Sequence, residues 1–294
     1  MKRIYILFAL MLAGLAACSS PTLDMKGMID GQSPDVNERQ TSETGGLVMA
    51  DNRTVMSISD EYKVYVGSDM HLDGNATTAH TDAFLSAYLS DPASPMVLIL
   101  GDLVNGKENM HSASEHVREM AGRKSGALFM ALGNHDIYFN LWEQWTGEWG
   151  KAHYTVVVRT PSFTDLYVCI DTASGYLGTQ QLKWLRETLE DAAGRGFRHI
   201  IVYTHTHMFK KDMSQGHTSN YPMEESFELM GLFADNGVEM LLSGHSHSRD
   251  VSAVRGVRYI VLDALEEHYP DDETGYLVLS VGDGLDYRFV SMAK

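Results

Sequence analysis

The chain has 294 residues, enough for one large domain with a sizeable core, and its 44% apolar and 21% charged content is that of a globular protein. A formal charge of −16 repels nucleic acid and anionic surfaces at long range. It argues against a nucleic-acid polymer as partner and requires any anionic substrate to be attracted locally, for instance by bound cations.

The first twenty residues, MKRIYILFALMLAGLAACSS, set Lys2 and Arg3 before an apolar run that ends in small residues at Cys18. This is the layout of a secretory signal peptide over residues 1–17, too short for a confident membrane span. The ending Leu15-Ala16-Ala17-Cys18 resembles the lipobox of bacterial lipoproteins. That resemblance implies cleavage before Cys18, acylation of Cys18, and a mature chain tethered to the bacterial cell envelope, facing the periplasm or the surface. Loss of Lys2 and Arg3 with no acidic residue takes the formal charge from −16 to −18. The other cysteine, Cys169 in LYVCIDT, then has no disulfide partner and reads as a small buried hydrophobe. Residues 18–55 are polar and aperiodic, which predicts a flexible tether, with the folded domain over 56–294.

From there strands and helices alternate. Strands are predicted over 62–68, 96–101, 126–132, 153–159, 166–171, 198–204, 238–243, 257–263 and 275–281. Helices are predicted over 78–90, 112–123, 179–194 and 223–236. In the third helix Thr179 suits an N-cap, Leu182, Leu185 and Leu189 share one face, and Gly194 suits a stop. Near-continuous apolar strands between helices indicate an α/β domain with buried strands.

Five of these strands end in residues that bind metals. VYVGSDMH carries Asp69 and His71, LILGDLV carries Asp102, and MALGNHD carries Asn134, His135 and Asp136. VYTHTH carries His205 and His207, and LLSGHSH carries His245 and His247. In open α/β sheets, sites form beyond the carboxyl ends of the strands, so these groups can converge. Singly, each is also an ordinary capped turn; together, after apolar strands each time, they are hard to dismiss. Imidazole with carboxylate and amide oxygen suits ions such as Zn, Mn or Fe. The inventory exceeds one tetrahedral ion and suits two ions about 3.5–4 Å apart sharing a carboxylate, the arrangement that clamps an in-line phosphoryl displacement. His205 and His207 stand two apart, and alternate residues of a strand share a face, so spacing alone leaves both as ligands.

The order Asp-x-His, Gly-Asp, Gly-Asn-His-Asp, His and Gly-His-x-His resembles the calcineurin-like metallophosphoesterase superfamily, from about Val64 to His247. The stretch DTASGYLGTQQLKWLRETL is similar to the branch containing purple acid phosphatases and class III cyclic-nucleotide phosphodiesterases. The resemblance implies a four-layer α/β/β/α sandwich of two mixed sheets. It implies Asp69, His71 and His247 on one ion, Asn134, His205 and His245 on the other, and Asp102 bridging both. It implies a phosphoester hydrolase, acting on a small-molecule phosphoester, in which a metal-bridging hydroxide attacks phosphorus in line. His135 would contact phosphate or protonate the leaving group, and Asp136 either orients His135 or caps a turn. Many relatives have Pro where His207 stands, which suggests a supporting or substrate-facing place for His207. After Gly-Asp the sequence LVNGKEN lacks the acidic and arginine residues of some protein-phosphatase branches.

Outside these motifs, the loop 208–223 with Lys210, Lys211 and His217 reads as solvated or as a pocket wall. Trp142, Trp145 and Trp149 stand at near-helical spacing and read first as core. Two other readings remain open: a non-catalytic surface binding protein on the same scaffold, and a metal-dependent amidohydrolase.

Overall fold

A computed structural model describes residues 34–42, 52–72, 78–106, 110–208, 221–267 and 274–292. Two sheets lie face to face. The first holds β1 (Asn52–Met56), β5 (Tyr154–Arg159), β6 (Thr164–Cys169), β7 (Ile200–Thr206), β8 (Met240–Gly244), β9 (Asp250–Val254) and β10 (Val257–Val261). Its order is β1-β5-β6-β7-β8-β10-β9. The second holds β2 (Tyr62–Gly67), β3 (Met96–Ile99), β4 (Leu128–Met130), β11 (Gly275–Val281) and β12 (Leu285–Ser291), in the order β12-β11-β2-β3-β4. Both sheets are mixed: β2, β3 and β4 run parallel, as do β6, β7, β8 and β10, while the remaining edges pair antiparallel, apart from β1 on β5.

The central strands are buried on both faces because apolar side chains leave them on both sides. One face of β2 and β3 (Val64, Val66, Met96, Leu98) meets Tyr167, Tyr203, Met240 and Leu242 of the other sheet. The opposite face of the five-stranded sheet is covered by α2 (Ala79–Ser90), α3 (Met110–Ala121) and α4 (Trp142–Trp149), through Phe84, Leu85, Val117 and Trp145. The outer face of the larger sheet is covered by α5 (Gly178–Arg195) and α6 (Met223–Asp235), through Leu185, Leu189, Leu229 and Phe233. The result is the expected four-layer α/β/β/α order. The tryptophans of α4 are core: Trp142 and Trp145 stack with centroids 5.9 Å apart. Cys169 is buried, and burial pushes its thiol well above its ordinary pKa. Among the described residues no helix is long and apolar enough to cross a membrane.

Three local expectations need correction. Helix α5 begins at Gly178 rather than at a Thr179 cap, and Gly196 at φ 71° ends it, with Gly194 inside. The amide of Thr179 instead donates to Asn37 Oδ1 at 3.1 Å, so a cap arrives from far away in sequence. Second, the segment expected as a tether over 18–55 contributes two elements: β1, and a short helix α1 (Val36–Ser42) packed on α5. Third, β1, β9, β12, α1 and α4 fall outside the predicted elements. Cys18, Lys210, Lys211 and His217 lie outside the described residues.

What holds α1 in place is charge. Arg39 and Asp171 are both fully buried, with Nε–Oδ2 at 2.8 Å and Nη2–Oδ1 at 3.0 Å. Removing one partner of a buried pair strands the other charge, which costs about 3–5 kcal/mol. Arg39→Ala should lower unfolding stability by that amount in urea titration; a loss under about 1 kcal/mol would show that α1 contributes little.

Candidate metal centre

The parallel strands β2, β3 and β4 of one sheet and β7 and β8 of the other end at the same rim, and every motif residue lies at or just past one of those ends. The backbone there is unusual. Eight non-glycine residues among those described have positive φ, and five are Asp69 (53°), His71 (47°), Asp102 (52°), His245 (71°) and His247 (51°). Left-handed backbone outside glycine costs about 1–3 kcal/mol and persists only where the surroundings enforce it. The enforcing contacts are visible. Asp136 is completely buried and accepts from the backbone amides of Asp102 (3.0 Å), Leu103 (2.9 Å), Val104 (3.3 Å) and Gly133 (2.9 Å). It ties the β3 loop to the β4 loop. Of its two expected roles, orienting His135 is therefore replaced by clamping backbone. Gly133 and Gly244 allow the close approach: a methyl group on the first would land on the Asp102 carboxylate, and on the second upon Ser68 Oγ and Asp69.

Two groups of donors result, sharing Asp102. In the first, His247 Nε2 stands 3.2 Å from both Asp69 Oδ1 and His71 Nε2, and His71 Nε2 stands 3.7 Å from Asp102 Oδ2. In the second, His205 Nε2 stands 3.2 Å from Asp102 Oδ2, 3.0 Å from Asn134 Oδ1 and 3.1 Å from His245 Nδ1. The orientations are set from behind. His205 Nδ1 donates to the Leu100 carbonyl at 2.7 Å, which turns Nε2 inward. Asn134 Nδ2 donates to Tyr138 Oη at 2.8 Å, which turns Oδ1 inward. Asp69 Oδ2 accepts from Ser68 Oγ at 2.5 Å and from the His245 amide at 2.9 Å, leaving Oδ1 for the centre.

Such crowding of lone pairs is unfavourable without positive charge between them. Burial alone would raise both carboxyls, but His247 beside Asp69 and His205 beside Asp102 hold them below the usual carboxylate range. Burial would lower His205; the Asp102 carboxylate and its hydrogen bond overcome this and lift it to about 9. Burial and the His205 charge push His245 down to about 3, leaving a neutral ring. Burial and repulsion from Asp102 push Asp136 up to about 6. Around His205 Nε2, three acceptors compete for one proton, and a divalent cation would satisfy all of them. Among the described residues no backbone or hydroxyl donor reaches Asp69 Oδ1, although it is buried. Both observations fit metal ions: the groups Asp69–His71–His247 and Asp102–His205–His245 each converge tightly enough to hold one.

His135 sits at the rim, its ring 4.8 Å from that of His71 and its amide on Asp102 Oδ1 at 2.9 Å. His207 is 1% exposed and lies beside His245, ring centroids 5.8 Å apart. A register shift between Tyr203 and Thr206 in the β7–β8 pairing separates the two histidines. Sequence reasoning missed Ser68 and Tyr138; Tyr138 is four residues past Asn134 within a turn, a spacing that brings such pairs together.

The calcineurin-like phosphoesterase family model matches residues 62–249, and the chain belongs to that family, whose members hydrolyse phosphoesters with bound metal. Comparison with curated proteins finds no match. Among solved structures, a dimetal phosphatase from Danio rerio aligns with a TM-score of 0.60 at 11% identity, over 79% of this chain and 97% of that one. GAP50, the anchor in the inner membrane complex of Plasmodium, aligns with a TM-score of 0.60 at 14% identity, over 80% and 85%. A purple acid phosphatase from yellow lupin aligns with a TM-score of 0.56 at 16% identity, over 79% of this chain and 52% of that one. At these identities the likeness is one of fold.

His205→Ala should lose bound metal as well as turnover, whereas His207→Ala should keep metal and alter turnover. Elemental analysis of both purified variants decides this; equal metal loss would place both rings in the same role.

Proposed function

We propose that this chain is a dinuclear metal-dependent phosphoester hydrolase, carried on the bacterial cell envelope by lipid on Cys18. The observation that carries the catalytic reading is the pair of donor groups joined at Asp102 Oδ2, which lies 3.7 Å from His71 Nε2 and 3.2 Å from His205 Nε2. Asp69, His71 and His247 would hold one ion, Asn134, His205 and His245 the other, and Asp102 both. Cations held there, Mn, Fe or Zn by donor type, would supply Lewis-acid charge and activate water for in-line attack on phosphorus.

The remaining steps belong to the protein. His135, half-exposed at the rim beside His71, contacts the phosphate and donates a proton to the departing alcohol oxygen. Its Nδ1 is turned toward the Asn105 carbonyl at 3.5 Å, which leaves Nε2 for that proton. Tyr138, with its ring 4.8 Å from His135, holds Asn134 and walls the same side. Asp136 keeps the two ligand loops at fixed separation, and His207 stands beside His245. The strongly acidic surface disfavours a nucleic-acid polymer, so the substrate is a small phosphoester whose charge is met at the centre itself.

Protein loaded with Mn, Zn or Fe should hydrolyse nitrophenyl phosphomonoesters or diesters. Asp102→Ala should abolish turnover and lower bound metal, and His135→Gln should lower kcat by about 10²–10⁴ with metal retained. A metal-replete protein inactive across a broad ester panel would overturn the catalytic reading.

The anchoring rests on separate grounds, the apolar leader and Leu15-Ala16-Ala17-Cys18. Mass spectrometry of the N-terminal peptide from the native host should find residues 1–17 gone and Cys18 acylated. An unmodified Cys18 would refute the lipid tether and leave the chemistry untouched.

A further inference from the structure

The helix α1 is too short to owe its position to helix propensity. It is fastened at three points to the end of β6 and the start of α5. Arg39 donates to Asp171 through Nε and Nη2, to Ser174 Oγ at 3.2 Å and to the Pro34 carbonyl at 2.8 Å, and its guanidinium lies 5.7 Å from the Trp142 ring. Asn37 caps the Thr179 amide. Gly178, at φ +72°, is the place where α1 presses closest: a methyl group there would stand 2.7 Å from Asn37 Oδ1 and 2.8 Å from Val36 Cγ1.

The residue after Asp171 brackets His205. The last strand-to-strand bond between β6 and β7 is the Ile170 amide on the Tyr203 carbonyl at 3.1 Å. Beyond it the hydroxyls of Thr172, Thr204 and Thr206 continue the connection. Thr172 Oγ1 lies 2.7 Å from Thr204 Oγ1 and accepts the Thr206 amide at 2.9 Å, and Thr206 Oγ1 donates to the Thr172 carbonyl at 2.9 Å. All three threonines are buried. They hold the residues on either side of His205 where β7 has already lost its regular pairing with β8. Asp171 in turn is fixed by Arg39, by the Ala173 amide on Oδ1 at 3.0 Å, and by Gln181, whose side chain spans the Asp171 amide (2.7 Å) and carbonyl (2.8 Å).

We propose that residues 34–42 are a strap that positions His205, through Arg39 on Asp171 and the Thr172 clamp on Thr204 and Thr206. The segment leading in from the N-terminus is then part of the metal centre's support. Arg39 and Thr172 are positioning residues; neither touches the donor atoms. The effect falls on one ion, that of Asn134, His205 and His245, because the first donor group hangs from β2 and β8. The proposal rests on the two-ion reading above.

Two variants of the full chain test it. Arg39→Met with Asp171→Asn removes both charges of the buried pair together and so avoids stranding one of them. Thr172→Val removes the clamp hydroxyl and leaves the strap intact. Calorimetric titration of the metal-stripped proteins with Mn²⁺ should show two ions in the parent. In each variant one ion should bind at least tenfold more weakly while the other is unchanged, and kcat should fall with KM preserved. A merely structural strap would lower the melting temperature and weaken both ions alike or neither. Variants that melt cooperatively and bind both ions as the parent does would overturn the strap; if the double variant does not fold, Thr172→Val alone decides. A parent chain that binds fewer than two Mn²⁺ would overturn the two-ion reading on which the strap depends.

Discussion

Asp102 is where the two sheets meet chemically. Its Oδ1 is held by the His135 amide, and its Oδ2 lies between His71 from the end of β2 and His205 from the end of β7. A carboxylate buried this deeply is costly unless positive charge surrounds it. In the protein alone that charge comes from protons on neighbouring imidazoles, which is why His205 is lifted to about 9 while His245, with burial and that charge against it, falls to about 3. Two rings with the same neighbours therefore carry opposite protonation states. A site that needs one shared proton around His205 Nε2 and has, among the described residues, no backbone donor for Asp69 Oδ1 is shaped for cations rather than for its own hydrogen bonds.

Convergence of this kind requires short, sharply turned strand ends. Five donor residues accept left-handed backbone, and such strain concentrates at functional sites because stability must come from elsewhere. Here it comes from the three apolar layers above, between and below the sheets, and from devices at the rim itself. Asp136 gathers four backbone amides, Gly133 and Gly244 leave room for the carboxylates, and Arg249 pairs with Asp263 at 2.8 Å just past His247. None of these touches a reacting atom, yet each fixes a loop that does.

Most of the frame was legible from residues because its signals are local. Apolar runs of four to seven residues became β2, β3, β7 and β8 nearly as read, and the polar residues at their ends became the two donor groups. What stayed hidden depends on distant partners. α1 reads as polar tether because Arg39 looks like a surface residue until Asp171, 132 positions on, is brought to it. β9 and β12 are edge strands with half-exposed, mixed faces and so lack a continuous apolar run. The cap of α5 comes from Asn37 rather than from its own first turn. Gly-Asn-His-Asp suits a turn cap as well as a base-orienting pair, and only the amides around Asp136 separate the two.

The pair in VYTHTH shows why periodicity alone could not assign the ligands. A regular strand puts residues two apart on one face, which would make His205 and His207 equivalent. β7 is not regular there: its pairing with β8 slips between Tyr203 and Thr206, and the threonine clamp from the β6 side takes over the work of the ladder. His205 consequently reaches Asp102, Asn134 and His245 at 3.0–3.2 Å, while the His207 ring stands 5.8 Å from that of His245. The difference between the two rings is set by how the strand is held, and the strand is held partly by a helix whose sequence lies more than 150 residues upstream.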